Sequence, residues 1–457
     1  AAGTDVRVEI ALTIVGCPAA DRIESDVRRA AVGVLHDVPE QSELLDRLTS
    51  WRRTVRTTGE IPLLVHTAIQ QLRAAPQRPV ALEIAPDLML APFDGVYIDP
   101  EPAPRPRTAP DAAVEAVCAM LAEATSPVLY VGGGMRSPEG SAAIRAAAER
   151  LAVPIVMSQN GLGTLDAVHP LAADPLDGRA LLAQADLVIG VGTRFVLSGQ
   201  QLALPEECRL VLVNADADHL REPRRPDLPI LSDGVAFVDA LVAAWRARSR
   251  GPRGDGERRV RAAKDVSRAA LADIAPQREW LDAIHAGTPD DVILVKDFTQ
   301  IAYVTPIAWP HRDWACHVAP GYQGNLGYAY AAALGAAVGR PDRPVVAIVG
   351  DGGFGWTLPE LATAHQYGIP AVVVVFDDGA YGNVARDLET LFEGRVFGAE
   401  LVNPDFVRVA EAFHVQAARA TTPEELSAAL RTAIAAREPA LIHVPVGRFP
   451  DPWHLLL

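Results

Sequence analysis

The stretch that decides the fold is Val345-Val-Ala-Ile-Val-Gly-Asp-Gly-Gly-Phe354. An apolar run followed by a glycine-rich turn is typical of a buried parallel strand that ends at a ligand-binding edge. A helical pattern over 357–367, a second apolar run at Ala371–Phe376 and the acidic loop Asp377-Asp378-Gly379 follow it. Strand, turn, helix and strand form one crossover unit, which predicts a doubly wound parallel sheet.

Two acidic residues, Asp351 and Asp378, follow these neighbouring strands. The carboxyl ends of parallel strands share one edge of a sheet, so both carboxylates are expected to face one cleft. Glycines there let backbone amides approach a phosphate, and two hard oxygen ligands beside them predict a Mg²⁺ site bridging protein and diphosphate. The alternative for either element alone is structural: Asp351 caps a turn, and the 377–379 loop is an ordinary Asx turn.

The composition excludes several classes of protein. The chain has 457 residues, 49% hydrophobic and 22% charged, with a net charge of -15. Such a chain predicts about three domains and excludes disorder as its main state. The longest apolar run, the Ala- and Gly-rich segment Leu326–Gly339, is too short to cross a bilayer. Arginine greatly outnumbers lysine, and no basic cluster exceeds Arg246–Arg253, so neither membrane nor nucleic acid is an expected partner.

The cysteines show neither CxxC pairs nor metal-ligand spacing, and their positions are Cys17, Cys118, Cys208 and Cys316. His311 and His317 flank the last of them, but this spacing does not suit a tetrahedral zinc site. We therefore expect no disulfide framework and a reducing, cytoplasmic location.

Two breaks divide the chain, the proline-rich Glu101–Pro110 and the glycine-rich Ser249–Glu257. They predict three domains, over residues 1–100, 111–248 and 258–457. The second and third alternate strand and helix throughout, as a doubly wound parallel sheet does. The fold class is therefore predicted as α/β, with three doubly wound parallel-sheet domains of which the first is incomplete.

The first segment is too short for a complete domain of this kind. Strands are predicted at Ile10–Gly16 and Pro79–Ile84, with helical patterns over Glu40–Arg56 and Pro62–Arg73. Half of an α/β domain would leave sheet edges and apolar faces uncovered. We therefore expect a further N-terminal portion outside this sequence; a separate subunit or a shortened paralogue are the alternatives.

The middle segment carries two glycine-rich turns after strands, Val131-Gly-Gly-Gly134 and Gly190-Val-Gly-Thr-Arg194. They look like dinucleotide loops but lack GxGxxG with an acidic residue about 20 positions on. A bound FAD or nucleotide, or a protein that works as an NAD-binding module, is thus the less favoured interpretation of this segment.

Gly350-Asp351-Gly352, with the loop at Asp378, resembles the signature of thiamine diphosphate enzymes of the acetolactate synthase, benzoylformate decarboxylase and pyruvate decarboxylase superfamily. The resemblance covers nearly the whole chain: Leu326-Gly-Tyr328, Asn403–Ala410 and His36–Gln41 also resemble family segments. It implies a thiamine diphosphate-binding fold for the outer domains, the first being the remnant of the pyrimidine-binding domain, and a Rossmann-like middle domain.

The resemblance also implies a set of site residues. Mg²⁺ would be held by the side chains of Asp351 and Asp378 and by the carbonyl of Ala380. The family usually has Asn at the position of Asp378; an extra negative charge would strengthen metal binding and weaken attraction for the diphosphate. The remaining residues expected to contact thiamine diphosphate are Gly324, Leu326, Gly350, Gly352, Gly353, Tyr381, Gly382 and Asn383.

The family's glutamate from the pyrimidine-binding domain has no identifiable counterpart. Glu9 is the only carboxylate in a loosely similar context, and a plain exposed Glu is its alternative. His36 lies where decarboxylases of the family carry a His-His pair and is a candidate proton shuttle, or else a structural turn residue.

The implied activity is that of a lyase or transferase acting on a 2-oxo acid, as a decarboxylase or, with an aldehyde or ketone acceptor, as a carboligase. Val384, where pyruvate decarboxylases place a Glu, suits carboligation better. The resemblance implies a homodimer or homotetramer. A catalytically silent relative that binds thiamine diphosphate without turnover is the alternative.

Overall fold

A computed structural model describes residues 41–456 of the chain, except 94, 100, 103, 198–199, 222–224, 249–254 and 322–323. The chain forms two units, residues 1–105 and 106–457. The strand expected at Ile10–Gly16 lies outside the described residues. Within those residues no helix is both long and apolar enough to span a membrane.

The described part of the first unit contains a two-stranded parallel sheet. Its elements are α1 (Gln41–Leu48), β1 (Trp51–Thr54), α2 (Ile61–Arg73), β2 (Val80–Glu83) and α3 (Pro86–Leu90). The helix expected over Glu40–Arg56 is wrong after Leu48. Strand pairing, with Trp51 opposite Val80, overrides the local helical pattern, as tertiary contacts often do.

The first part of the second unit is a six-stranded parallel sheet in the order β10-β9-β6-β3-β4-β5, with a small antiparallel pair, β7 and β8, beside it. Its elements are α4 (Asp111–Glu123), β3 (Pro127–Val131), α5 (Pro138–Leu151), β4 (Ile155–Met157), β5 (Ala172–Ala173), α6 (Pro175–Leu182), β6 (Leu187–Val191), β7 (Val196–Leu197), β8 (Gln200–Gln201), β9 (Arg209–Asn214), β10 (Leu228–Leu231) and α7 (Gly234–Ala247).

The second part is another six-stranded parallel sheet, in the order β12-β11-β13-β14-β16-β15. Its elements are α8 (Gly256–Ala270), α9 (Ala275–Gly287), β11 (Ile293–Lys296), α10 (Gln300–Tyr303), α11 (Thr305–Ala308), β12 (His317–Val318), α12 (Ala329–Gly339), β13 (Val345–Gly350), α13 (Asp351–Thr357), α14 (Glu360–Tyr367), β14 (Ala371–Asp377), α15 (Gly382–Leu391), α16 (Phe406–Ala412), β15 (Gln416–Arg419), α17 (Pro423–Ala436), β16 (Ala440–Pro445) and α18 (Trp453–Leu456). The predicted α/β class with doubly wound parallel sheets is confirmed.

Helices cover both faces of the second sheet. Val346 and Ile348 pack into the core on one face, and Ala347 and Val349 into the core on the other. Both sets are buried, which explains why β13 is a continuous apolar run without polar alternation.

Each six-stranded sheet has a point where the strand order reverses. In the first sheet the chain runs from β3 outward to β5 and resumes at β6 on the other side of β3; in the second it runs from β11 to β12 and resumes at β13. Open parallel sheets bind ligands at the carboxyl ends of the strands at such points. A ligand is therefore expected to bind at the loops that follow β3, β6, β11 and β13.

Candidate active site

Asp351 begins α13 directly after β13, and only 3% of its surface is exposed. Its Oδ2 accepts a hydrogen bond from Asn403 Nδ2 at 2.6 Å. Burial raises the pKa of Asp351 to about 7; the hydrogen bond from Asn403 opposes this shift, and the negative charge of Asp378 adds to it. The metal-free protein thus holds this carboxyl group ready to exchange its proton for a cation.

Asp378 follows the last residue of β14, the strand next to β13. Gln300 Nε2 donates to its Oδ2 at 2.5 Å, and the Gln300 Oε1 in turn accepts from the Phe449 amide at 2.9 Å. Burial raises the pKa of Asp378 despite the Gln300 hydrogen bond. A Cβ added at Gly382 would lie 2.5 Å from Asp378 Oδ2, so the close approach of this loop to α15 requires glycine.

Asp377, the last residue of β14, has a different environment. His443 Nε2 donates to its Oδ2 at 2.9 Å and Asn403 Nδ2 to its Oδ1 at 2.7 Å. Burial opposes ionisation of Asp377, but these two hydrogen bonds outweigh it, and its pKa lies below the ordinary value. Asp377 is therefore a fixed anion that positions Asn403, which also holds Asp351.

The loop after Asp378 is fixed by backbone pairing. Tyr381 N donates to Ala399 O at 2.7 Å and Leu401 N to Gly379 O at 2.8 Å, forming an isolated bridge between Ala380 and Glu400. This pairing does not use the Ala380 carbonyl, the group expected to complete the metal ligands.

The glycines of the turn are required by close packing. A Cβ at Gly352 would lie 2.5 Å from the Tyr381 ring, and one at Gly353 would lie 3.0 Å from Asp297 Oδ2. Gly350 precedes the first turn of α13, whose amides point towards an acceptor, and the Gly352 amide donates to the Asp351 carboxylate. The structure thus brings the predicted residues Gly350, Gly352 and Tyr381 into one neighbourhood with Asp351.

Asp297, after β11, fixes the loop that carries Gly324 and Leu326. Its Oδ2 accepts from Gly327 N at 2.9 Å and its Oδ1 from Phe298 N at 2.8 Å. Gly324 has a positive φ of 62°, and Leu326, the expected wedge, is partly exposed. Both residues are therefore placed beside the carboxyl end of β11.

Asn383, another predicted cofactor-binding residue, contacts a helix far along the chain, and the histidines that do not suit a zinc site pack against each other. Asn383 Oδ1 accepts from Trp453 Nε1 at 3.2 Å, which ties α15 to α18. His311 and His317 form a buried pair with ring centroids 4.7 Å apart.

In the described part of the chain no three His, Cys, Asp or Glu side chains are arranged to hold a metal ion, so a cation at Asp351 and Asp378 would need the main-chain carbonyl as well.

Two cavities, of about 870 and about 1030 Å³, open beside the end of β11. Lys296, Phe298 and Tyr130 line both. The larger cavity also reaches Gly324 and the glycine-rich turns after β3 and β6. The crossover points of the two sheets therefore face a shared space.

Some functional candidates were missed or fall outside the described residues. Glu9 and His36 lie outside them, so their roles stay predictions. Gln300 and His443 carried no local signal, because each meets its carboxylate only through the fold. Asp297 was identifiable in principle, since it follows a predicted strand at the carboxyl edge of the sheet.

Comparison with known proteins identifies the family. Residues 302–444 match the thiamine pyrophosphate enzyme C-terminal TPP binding domain, and residues 114–241 match the central domain of the same enzymes. The probable 2-ketoarginine decarboxylase of Pseudomonas aeruginosa is 30% identical over 409 residues, 87% of this chain and 72% of that protein.

Two acetolactate synthases show a similar degree of likeness. The large subunit from Parasynechococcus marenigrum is 29% identical over 425 residues, covering 87% of this chain and 67% of that protein. The isozyme 1 large subunit from Escherichia coli is 27% identical over 421 residues, covering 87% and 72%. With the two domain matches and the paired carboxylates, these similarities show that the chain belongs to the thiamine pyrophosphate enzyme family.

Proposed function

We propose that the protein is a Mg²⁺- and thiamine diphosphate-dependent lyase or transferase that acts on a 2-oxo acid, as a decarboxylase or a carboligase. The observation that carries the proposal is the pair Asp351 and Asp378, both with raised pKa, at the ends of neighbouring strands beside a crossover point. The names of the relatives support it, since one decarboxylates 2-ketoarginine and others synthesise acetolactate.

The donor set fits this cofactor. A buried carboxylate and a half-buried one, both costly to ionise without a cation, are together with a main-chain carbonyl hard oxygen ligands suited to Mg²⁺. In the proposal Asp351, Asp378 and the Ala380 carbonyl hold the metal, while Asn403 and Gln300 orient the carboxylates. The amides at the start of α13 face the diphosphate, and Gly324 and Leu326 face the pyrimidine.

When bound, thiamine diphosphate supplies the electron sink that decarboxylation of a 2-oxo acid requires. The chain's own contribution is to orient the reactants and to exclude water. Glu9 and His36 are the proposed proton-transfer residues, and a FAD in the middle domain remains the less favoured addition.

The apolar Val384 supports carboligation over simple aldehyde release. It lies in α15, three residues after Tyr381, and half of its surface is exposed. An aliphatic side chain cannot donate a proton to a reacting carbon, so an aldehyde or ketone acceptor has the advantage there. Replacing Val384 by Glu should shift the products from the carboligation product towards the free aldehyde, as measured by product analysis.

The deciding experiment is a calorimetric titration of the full gene product with thiamine diphosphate in the presence and absence of Mg²⁺. We expect Mg²⁺-dependent binding that Asp351→Asn abolishes. The matched control is Asp342→Asn, an exposed aspartate just before the other end of β13, which should leave binding unchanged. CO₂ release from a panel of 2-oxo acids then tests turnover. Absence of binding by the wild type would overturn the proposal, and binding without any turnover would favour the catalytically silent relative.

A further inference from the structure

Lys296, the last residue of β11, is a buried cation beside the candidate site. Only 3% of its surface is exposed, and it lines both cavities. Its ammonium group donates to the Ala302 carbonyl at 3.0 Å. This bond uses one of three N–H donors, so the group retains donors for a ligand.

The charge of Lys296 has no carboxylate partner within salt-bridge distance among the residues that the structure describes. Burial lowers the pKa of Lys296 to about 8, so the side chain still carries its charge at neutral pH. A buried ammonium group without a counter-ion is unfavourable, and an anion bound in the cavity would relieve that strain on the folded state.

Arg136, in the lining of the larger cavity, is a second cation whose hydrogen bonds go to neutral carbonyl groups. The guanidinium donates from Nη2 to the carbonyls of Trp314 at 2.7 Å and His317 at 2.5 Å, which are neutral acceptors. The carboxylate in the lining, Asp233, accepts from the Ala236 amide and so caps α7. Lys296 and Arg136 therefore bring positive charge to the cavity, and Asp313 is the carboxylate whose negative charge reaches Arg136.

Building on the proposed function, we propose that Lys296 binds an anionic group other than the departing carboxylate, a second carboxylate or an equivalent oxyanion, carried by the 2-oxo acid or by its acceptor. Lys296, Phe298 and Gly324 line the same cavity, and a Cβ added at Gly324 would lie 3.6 Å from the Phe298 ring. A ligand whose anionic end lies at Lys296 can therefore present its reacting end towards the residue expected to contact the cofactor.

The departing carboxylate is the wrong partner for Lys296. Negative charge leaves that group during decarboxylation, so a cation held against it would stabilise the substrate more than the transition state. A second anionic group keeps its charge throughout the reaction. Pairing it with Lys296 contributes binding and selectivity without raising the barrier.

The two lysines of the chain allow a direct binding test. In protein grown with ¹³C-labelled lysine, Lys296→Arg assigns the Cε signal of Lys296, and Lys264→Arg assigns that of Lys264, which lies in α8 and donates to the Ala167 carbonyl. Glutarate, which cannot be turned over, should shift the Lys296 signal and leave that of Lys264 in place. Its uncharged isostere, the diamide glutaramide, should shift neither. Spectra are recorded with and without thiamine diphosphate and Mg²⁺.

Kinetics test the same inference on the holoenzyme. We expect Lys296→Met to lower kcat/KM by about 100-fold for 2-oxoglutarate as donor, mainly through KM, and to leave 5-methyl-2-oxohexanoate unchanged. Pyruvate as donor with glyoxylate as acceptor tests whether the anion resides on the acceptor instead. Lys264→Met is the matched control and should leave kcat/KM unchanged for both donors.

Equal losses for the dianionic 2-oxoglutarate and the monoanionic 5-methyl-2-oxohexanoate, or a Lys296 signal that responds to neither ligand, would overturn the inference while leaving cofactor binding intact. Failure of thiamine diphosphate to bind would overturn the proposed function instead. In that case the spectra recorded without cofactor still decide whether Lys296 binds an anion.

Discussion

The side-chain amide of Asn403 donates to two carboxylates that have different roles in the candidate site, Asp351 and Asp377. Asn403 Nδ2 lies 2.6 Å from Asp351 Oδ2 and 2.7 Å from Asp377 Oδ1. Asp377 also accepts from His443 and ionises readily, whereas Asp351 holds its proton to about pH 7. A nearby cation favours ionisation of a carboxylate with a raised pKa, such as Asp351, more than that of one that is already ionised, such as Asp377. Asp351 rather than Asp377 is therefore the proposed ligand.

The raised pKa values predict how cofactor binding depends on pH. Mg²⁺ must displace any proton on Asp351 or Asp378, so the affinity for Mg²⁺ with thiamine diphosphate should rise with pH, by about tenfold per unit below pH 7 if one proton is released. Calorimetry in buffers of different ionisation enthalpy measures the protons released. A pH-independent affinity between pH 5.5 and 7 would contradict the assignment.

The metal-free protein should show the opposite trend in stability. Between the ordinary Asp value of 3.8 and about pH 7, Asp351 keeps in the folded state a proton that it loses on unfolding. The free energy of unfolding contributed by this group therefore falls as pH rises through that window. Urea titrations should show this fall, and Mg²⁺ with thiamine diphosphate should reverse it.

The sequence identified Asp351 and Asp378 because both immediately follow strands, where the chain itself places them at a sheet edge. It could not identify their partners. Gln300, the partner of Asp378, and Asn403, the partner of Asp351, are separated from these two acidic residues by whole elements, and only the fold brings them within hydrogen-bond distance. Contacts of this kind have no local pattern from which to be predicted.

At the scale of elements, the start of α15 is constrained by the loop it follows. Alanine usually stabilises a helix relative to glycine by about 1 kcal/mol. At Gly382, however, the added Cβ would lie 2.5 Å from Asp378 Oδ2 and 3.2 Å from Gln300 Nε2. Gly382→Ala should therefore displace Asp378 and weaken Mg²⁺-dependent binding of thiamine diphosphate by at least about tenfold.

The control for this variant is Gly335→Ala in α12, where an added Cβ meets no atom within 4 Å. It should leave binding unchanged and raise stability slightly, as measured by thermal unfolding and calorimetry. If Gly382→Ala binds the cofactor like the wild type, the loop at Asp378 does not hold the metal.

The apolar runs at β13 and β14 were predicted to within a residue or two, because both faces of these strands are buried, whereas β12 and β15 at the edges of the sheet were not predicted. The alternation of strand and helix predicted for the middle segment is present as well, for example in Pro127–Val131 and Pro138–Leu151. The prediction was wrong at Trp51–Thr54, which was expected to be helical. This segment has no apolar run of its own and becomes a strand only by pairing with Val80–Glu83.

At the scale of the whole molecule, large apolar side chains lie exposed just after the candidate metal loop. Leu391 is 72% exposed and Phe397 80% exposed, at and beyond the end of α15. Exposed apolar side chains concentrated in one segment mark a contact surface. They are a candidate contact surface for the homodimer or homotetramer that the family resemblance implies.

Light scattering after size exclusion should therefore give a mass of two or four chains, and Phe397→Glu should reduce it. Val168→Glu, at an exposed apolar residue of the first six-stranded sheet's domain, is the control and should not. A wild type that runs as a single chain would contradict the assembly. The sequence could predict assembly only through the family resemblance, because exposure is a property of the folded chain.

The shared space beside Lys296 bears on how such an enzyme could change its substrate. Its walls come from two sheets with separate hydrophobic cores. Ser158 and Asn214, on the first sheet's side, can be exchanged without disturbing the core beneath Asp351. Ligand preference is therefore free to drift during evolution while the metal site is retained, and libraries aimed at new substrates belong on that wall.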